Sequence, residues 1–368
     1  MNTRARLEQM CRPAGGGIHV VSTGVTEQRA LQKALYHVDT DDAVESGWRA
    51  ALDGLGEARV VVLGVPSDNG AGFTRGANKA PEEIRRHLLS QTGHPYHHAG
   101  VLDVGDVRVV PHLLSEEMLH DTQISACRLA LYGEKDARMP VSPLDLCASA
   151  LDALAELAPQ AVPVVIGGDH SIGWPAFHHA WRRHEQQGGR RLALLHFDAH
   201  TDLMPHRLGV KYCFATWAWH ANELLGRDTR LVQLGIRASG KSKHHWESTL
   251  GVWQLWADEC NATDPEVLGK QIAEHYAQLG CDGLYVSNDI DGTDPQWASA
   301  TGTPEPGGLR PEWVSALTRR VAQDLPLVGG DLVEVAPPLA HERPEEPEIT
   351  LQTAGQYLGD LIDLALRK

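Results

Sequence analysis

The sequence predicts an α/β fold built on a mostly parallel sheet covered on both faces by helices, and two observations carry that expectation. Short apolar runs rich in Val, Ile and Leu recur from Ala58 onward, as in VVVLGV, VPVVIG and LALLHF. They lack the polar alternation of a half-exposed strand, which marks strands buried on both faces. Between the runs lie amphipathic helical segments, the order expected of parallel strands joined by helical crossovers.

Taken in order, residues 1–57 hold a Gly-rich patch at Gly15 to Gly17 and a helical stretch from Thr26 to Leu52, and read as a partly helical N-terminal extension. A catalytic domain is expected over 58–368. Its first strand is ARVVVLGV, followed by the helices PEEIRRHLL and PLDLCASALDALAEL, the strand AVPVVIGG and the helix AFHHAWRRHEQQ. Then come the strands RLALLHF and TRLVQLGI, the helix PEVLGKQIAEHYAQL, the strand GLYVSND, the helix PEWVSALTRRVAQ, the strand LVGGDLVEV and the terminal helix TAGQYLGDLIDLAL. The polar, Pro-rich HERPEEPE at 341–348 reads as a loop. A chain of 368 residues with 42% hydrophobic content buries the core of one large domain without needing a second.

Six scattered cysteines with no CxxC pair suggest reduced thiols rather than a zinc knuckle or a disulfide framework. The first fifteen residues carry no apolar run fit for a signal peptide, and no later stretch reaches membrane-spanning length, so a cytoplasmic protein is expected. Acidic residues outnumber basic ones 48 to 33, a net charge of −15 that argues against a nucleic-acid or anionic-membrane partner and suits a cationic ligand. The same excess also serves solubility alone.

In an open parallel sheet, whatever follows each strand lies along one rim, where such folds bind ligands. AVPVVIGG is followed by Asp169 and His170, RLALLHF by Asp198, His200 and Asp202, GLYVSN by Asp289 and Asp291, and LVGGDLV by Glu334. The second and third groups step by two residues, which in extended chain places their side chains on one side. Any one of these segments on its own is also consistent with a helix cap or a turn. Together they gather more carboxylates than can stay ionised without a counter-charge. His170, Asp198, His200, Asp202, Asp289 and Asp291 form a hard, oxygen-rich set that suits Mn²⁺ and accepts Ni²⁺, Co²⁺ or Zn²⁺. Six ligands exceed what one ion takes while leaving room for water, so two divalent ions are expected.

The ordered segments GVPSDNGAGFTRGANKAPEEIR (64–85), LDVGDV, IGGDHS, HFDAHTD, VQLGIR, SNDIDGTDP, TGTPEPGGL and GDLVEVAPP resemble the ureohydrolase family of arginases, agmatinases and guanidino-compound amidinohydrolases, in the style of the agmatinase-like branch. The resemblance covers roughly residues 58–368. It implies the three-layer α/β/α arrangement shared by arginases and deacetylases, usually assembled as homotrimers or hexamers. By the same resemblance one ion would be held by His170, Asp198, Asp202 and Asp289, and the other by His200, Asp198, Asp289 and Asp291. Asp202 would also orient the attacking water, and Glu334 would grip the guanidinium of a small cationic substrate. The implied reaction is hydrolysis of a guanidino compound, agmatine-like, guanidine or an alkylated guanidine, to urea or a urea analogue and an amine.

The sequence departs from that pattern after HFDAHTD. Relatives place a proton-shuttling histidine there, where this chain offers Tyr212, Cys213 or Phe214, with His206 and His220 as substitutes among 20 histidines. The aromatic loop (Tyr212, Phe214, Trp217, Trp219) suggests Tyr212 and Trp217 as substrate contacts, since aromatic faces hold cations. Two other readings fit the same residues: a metal-dependent deacetylase on the same scaffold, and a catalytically silent subunit in a hetero-oligomer with a related chain.

Overall fold

The computed structural model describes residues 1–20, 22–72 and 74–367. Val21, Phe73 and Lys368, the last residue of the expected domain, lie outside them. Among the described residues nine strands form one sheet: β1 (Cys11–Arg12), β2 (Val60–Val65), β3 (Val101–Val107), β4 (Val162–Gly167), β5 (Leu192–Phe197), β6 (Leu231–Ile236), β7 (Trp253–Trp256), β8 (Gly283–Asp289) and β9 (Leu327–Val333). They lie in the order β1-β3-β2-β4-β9-β8-β5-β6-β7. Every pairing is parallel except β1 with β3, which is antiparallel.

Alternate residues of each strand enter different cores, the reason the strands read as uninterrupted apolar runs. Val61, Leu63, Leu192 and Leu194 pack under the helices Pro143–Leu157, Gly173–Trp181 and Trp217–Leu225. Val60, Val62, Ala193 and Leu195 pack under Ala80–Ser90, Pro265–Gln278, Pro311–Val321 and Glu346–Leu366. Three layers result. The helix Pro265–Gln278 shows how locally the elements are encoded. Pro265 sits in its first turn, the Asp264 carboxylate accepts the N–H groups of Glu266 and Val267, and Leu268, Ile272, Ala273 and Tyr276 make its buried stripe.

Two expectations are corrected. The helical stretch from Thr26 to Leu52 is two helices, Val25–Tyr36 and Val44–Leu52, broken where His37 takes a left-handed φ of 53°. The terminal helix starts at Glu346, inside the segment read as loop, and the Glu346 carboxylate accepts the N–H groups of His341, Glu342 and Arg343, which folds the preceding loop onto the helix start. The N-terminal extension is woven into the main core. Leu7, Met10, Cys11 and Trp48 are fully buried, and Cys11 and Arg12 add an edge strand opposite Val107 and Asp106.

A buried ion cluster fastens this junction. The Arg85 guanidinium is fully buried between Asp103 and Asp106, and the second oxygen of Asp106 accepts the Gly15 N–H at 2.7 Å.

Candidate metal centre

The four strands that carry the chemistry, β4, β9, β8 and β5, are immediate neighbours at the middle of the sheet. Their carboxyl ends therefore open side by side, at the position where parallel sheets bind ligands. Two glycines let other backbone close over this rim. A Cβ on Gly168 would stand 1.7 Å from the Ser67 carbonyl oxygen, and one on Gly70 would stand 2.4 Å from Ser171. The segment after β2 can thus bond to the turn after β4, with Asp169 N–H on Ser67 O and Gly70 N–H on the Asp169 carboxylate, both at 2.9 Å.

The turn after β4 drives His170 into the centre, where it is 1% exposed. Its Nδ1 lies 3.0 Å from Asp289 Oδ2, 3.3 Å from Asp202 Oδ2 and 3.4 Å from Asp198 Oδ2. On the neighbouring side, His200 Nδ1 lies 3.1 Å from Asp291 Oδ2 and 3.4 Å from Asp198 Oδ1. Ligand-type atoms of His170, His196, Asp198 and Asp202 fall within 4.8 Å of one another, as do those of Asp198, His200 and Asp291. Asp198 belongs to both groups. Asp289 links them differently, facing His170 with Oδ2 while Oδ1 accepts the Asp291 N–H at 2.9 Å. All six residues singled out from the sequence thus meet in one place.

The protonation preferences of the cluster show what it lacks. Burial would hold His170 low, but Asp198, Asp202 and Asp289 push it well above its ordinary value. His200, also opposed by burial, is pushed up to about 12 by Asp291 and Asp198. Burial pushes Asp289 well up, reinforced by Asp291 and Asp198. Asp198 goes the other way, since bonds from His170, His196 and His200 overcome its burial and hold it well below the usual carboxylate range. Three imidazoles face four buried carboxylates, a conflict that divalent cations relieve.

The donor chemistry fits such ions. Ser287 gives its hydroxyl proton to Asp331 at 2.7 Å, and its oxygen lies 2.9 Å from His170 Nε2. That oxygen is therefore the acceptor of the Nε2–H, so the proton a cation would displace is the one on Nδ1, which then offers its lone pair. Nδ1 is buried, has no hydrogen-bond partner among the described residues and faces three carboxylates at ion-pair distance. A lone pair in that setting calls for a cation, and an imidazole braced through its other nitrogen is a common form of metal ligand.

Glu334 enters from the end of β9. Its Oε1 accepts the His170 N–H at 2.9 Å, and Oε2 has no hydrogen-bond partner among the described residues. Burial and the nearby Asp169 push this carboxyl well up. Asp202 and Glu334 both hold left-handed backbone, with φ of 51° and 61°. Such strain is uncommon away from glycine and concentrates at working sites.

The loop after Asp202 differs from expectation. Trp217 was expected to touch substrate, but it is fully buried behind the cluster, its ring tilted against the His170 ring at 4.6 Å, and its indole N–H donates to Asp202 Oδ2 at 3.1 Å. Tyr212 stacks on Trp174 at 5.0 Å under the Lys211 ammonium, which places it in a separate aromatic group. His220 packs against Tyr212 and Trp219 with Nε2 on the Lys211 carbonyl at 3.1 Å, so that nitrogen is already engaged and the ring is turned from the cluster. His206 is exposed beside a tight hairpin, and no described contact joins it to the cluster. Cys213 and Phe214 instead line a cavity of about 870 Å³ together with Gly70, Arg75, Arg207 and Leu208. Among the described residues no cluster residue lines that cavity; Gly70, which does, gives its N–H to Asp169, the chain neighbour of His170.

The sequence reading passed over His196. It stands two residues before Asp198, so the step of two that picked out Asp198, His200 and Asp202 extends back to it, and its Nε2 meets Asp198 Oδ2 at 2.9 Å.

A model of the arginase family matches residues 58–362. Guanidinobutyrase of Pseudomonas aeruginosa is 32% identical over 300 residues, covering 78% of this chain and 81% of its own. The mitochondrial agmatinase of Gallus gallus is 33% identical over 301 residues, 78% of this chain and 76% of that one. Among solved structures, proclavaminate amidino hydrolase from Streptomyces clavuligerus superposes with a TM-score of 0.66 at 28% identity over 85% of this chain and 93% of its own. With a nine-stranded sheet of this order, a His/Asp cluster that could hold metal at its carboxyl rim and a family match over residues 58–362, the chain belongs to the arginase family.

Proposed function

We propose that the chain hydrolyses a guanidino compound to urea, or a urea analogue, and an amine, using two divalent cations held by His170, Asp198, His200, Asp202, Asp289 and Asp291. The observation that supports this reading best is the buried, unpartnered Nδ1 of His170 facing three carboxylates. When bound, such ions supply Lewis acidity and a water acidic enough to attack at neutral pH. Mn²⁺ is the ion the hard donor set suits, and Ni²⁺ is the second to test.

The chain's own residues do the rest. A guanidinium carbon is a weak electrophile, because its charge is spread over three nitrogens, so its placement matters. Glu334 Oε2 takes the guanidinium N–H groups while Oε1 stays anchored to the His170 N–H. Asp202, steadied by Trp217, orients the attacking water and carries its proton toward the departing amine. The aliphatic tail points toward the cavity that adjoins Gly70. Arg75 and Arg207 beside Leu113, Met118 and Phe214 favour an uncharged or anionic tail there over a second cation.

The test is urea release by the purified chain alone, stripped of metal and reloaded with Mn²⁺ or Ni²⁺, across guanidine, alkylated guanidines, guanidino acids, agmatine and arginine. Turnover of one class supports the reading, with agmatine expected below the guanidino acids. Two tightly bound ions without any turnover would instead favour a silent subunit that needs a related chain. We infer assembly as a homotrimer or hexamer from the family resemblance, to be read by light scattering. Among the described residues no helix is long and apolar enough to cross a membrane.

A further inference from the structure

One polar residue from each of five adjacent strands falls at the same register. Asp331 of β9 pairs with Ser287 of β8, Ser287 with His196 of β5, His196 with Gln233 of β6, and Gln233 with Gln254 of β7. All five are completely buried. Buried between two helical layers, such a row is costly unless every member is satisfied.

Its hydrogen bonds leave little freedom. Gln233 Nε2 lies 2.7 Å from the Thr201 carbonyl oxygen, which only accepts, so this atom is the amide nitrogen. Gln233 Oε1 accepts from Gln254 Nε2 at 2.8 Å, and Gln254 Oε1 accepts the Trp256 indole N–H at 3.0 Å. The indole can only donate, so the polarity of the whole line is fixed from its outer end. Gln233 Nε2 is also 3.0 Å from His196 Nδ1, and, being a donor, it requires a lone pair there. The proton of a neutral His196 must then sit on Nε2, pointing at Asp198 Oδ2 at 2.9 Å.

We propose that His196 is a positioning residue and not a metal ligand: the Trp256–Gln254–Gln233 line locks it as an Nε2–H donor that fixes the shared carboxylate Asp198 for both ions. The same sheet row therefore treats two imidazoles oppositely. Ser287 accepts from His170 and frees a lone pair for metal, whereas Gln233 donates to His196 and turns its far nitrogen into a donor. The proximity of His196 to His170, Asp198 and Asp202 would otherwise admit it as a ligand. This inference rests on the two-cation reading above.

The experiment loads the full chain with Mn²⁺ and follows metal transfer to a chelating dye, for the wild type and for His196→Gln, His196→Leu and Gln233→Glu. X-ray absorption counts imidazoles per metal in the wild type and His196→Gln. The glutamine carries an N–H to about the position of Nε2, so His196→Gln should release metal at close to the wild-type rate with the imidazole count unchanged. His196→Leu should weaken metal retention about 10- to 100-fold, the usual effect of removing a group that orients a ligand. Gln233→Glu places an acceptor at Nδ1, turns the tautomer and should weaken retention although His196 is intact. Should His196→Leu fail to fold, the other two variants still decide. Loss of one imidazole in His196→Gln would overturn the proposal, as would wild-type retention in His196→Leu or Gln233→Glu. A wild-type chain that takes up no metal would overturn the two-cation reading itself, a different result.

Discussion

The Glu334 carboxylate holds the backbone N–H of His170 at 2.9 Å, which ties the end of β9 to the end of β4 and leaves its second oxygen without a hydrogen-bond partner among the described residues. The residue proposed to grip substrate is thus set by the residue proposed to bind metal.

Glu334→Gln keeps an oxygen for the His170 N–H but removes the charge. Metal content should stay at the wild-type level, and kcat/KM for the preferred guanidino compound should fall by about 1.5–3 kcal/mol, or roughly 10- to 100-fold, as for loss of a charged hydrogen bond. Steady-state kinetics and elemental analysis of the same preparation check this. Unchanged kcat/KM would remove Glu334 from substrate binding.

Trp217→Phe retains the ring that covers His170 and removes the indole N–H on Asp202. About 1 kcal/mol of stability should be lost in urea unfolding, the size of one ordinary buried hydrogen bond. Turnover should drop more than KM rises, because Asp202 loses its alignment rather than the substrate its contacts. A rise in KM alone would mean that Trp217 contacts substrate after all.

Metal uptake should tighten as pH rises. The folded, metal-free protein raises His200 to about 12, above an unfolded value of roughly 6.5. Its pairing with Asp291 and Asp198 therefore stabilises the metal-free fold fully below the unfolded value and fades as pH climbs toward the folded one. A cation must displace that proton and the one held by His170. Calorimetry in buffers of different ionisation heat should show protons released on binding, and a metal affinity independent of pH between 6 and 9, about the range where free imidazole has lost its own proton, would contradict the assignment.

Arg85→Met leaves Asp103 and Asp106 buried without their cation. Removing one side of such a cluster costs about 3–5 kcal/mol, far more than a surface pair. Denaturant unfolding should show this loss, with proteolysis of residues 1–57 appearing first, because Asp106 also anchors Gly15. A variant as stable as the wild type would show that the N-terminal segment is held by apolar packing alone.

The sequence by itself determined the layered fold, because apolar runs such as VVVLGV and LALLHF have only one way to be buried on both sides, and a helix such as Pro265–Gln278 carries its own cap and stripe. It also determined which residues would meet, since the carboxyl ends of parallel strands share a rim whatever their order. Strand order was not legible. β8 and β9 insert between β4 and β5, and this alone puts Asp289 and Glu334 between His170 and Asp198. Nor was the polar row visible, because a single Ser, Gln or Asp in an apolar strand says nothing until register sets it beside four others. The loop after Asp202 misled for the same reason. An aromatic side chain has no fixed direction in sequence, and only packing decided that Trp217 turns inward to brace Asp202 while Phe214 turns toward the cavity.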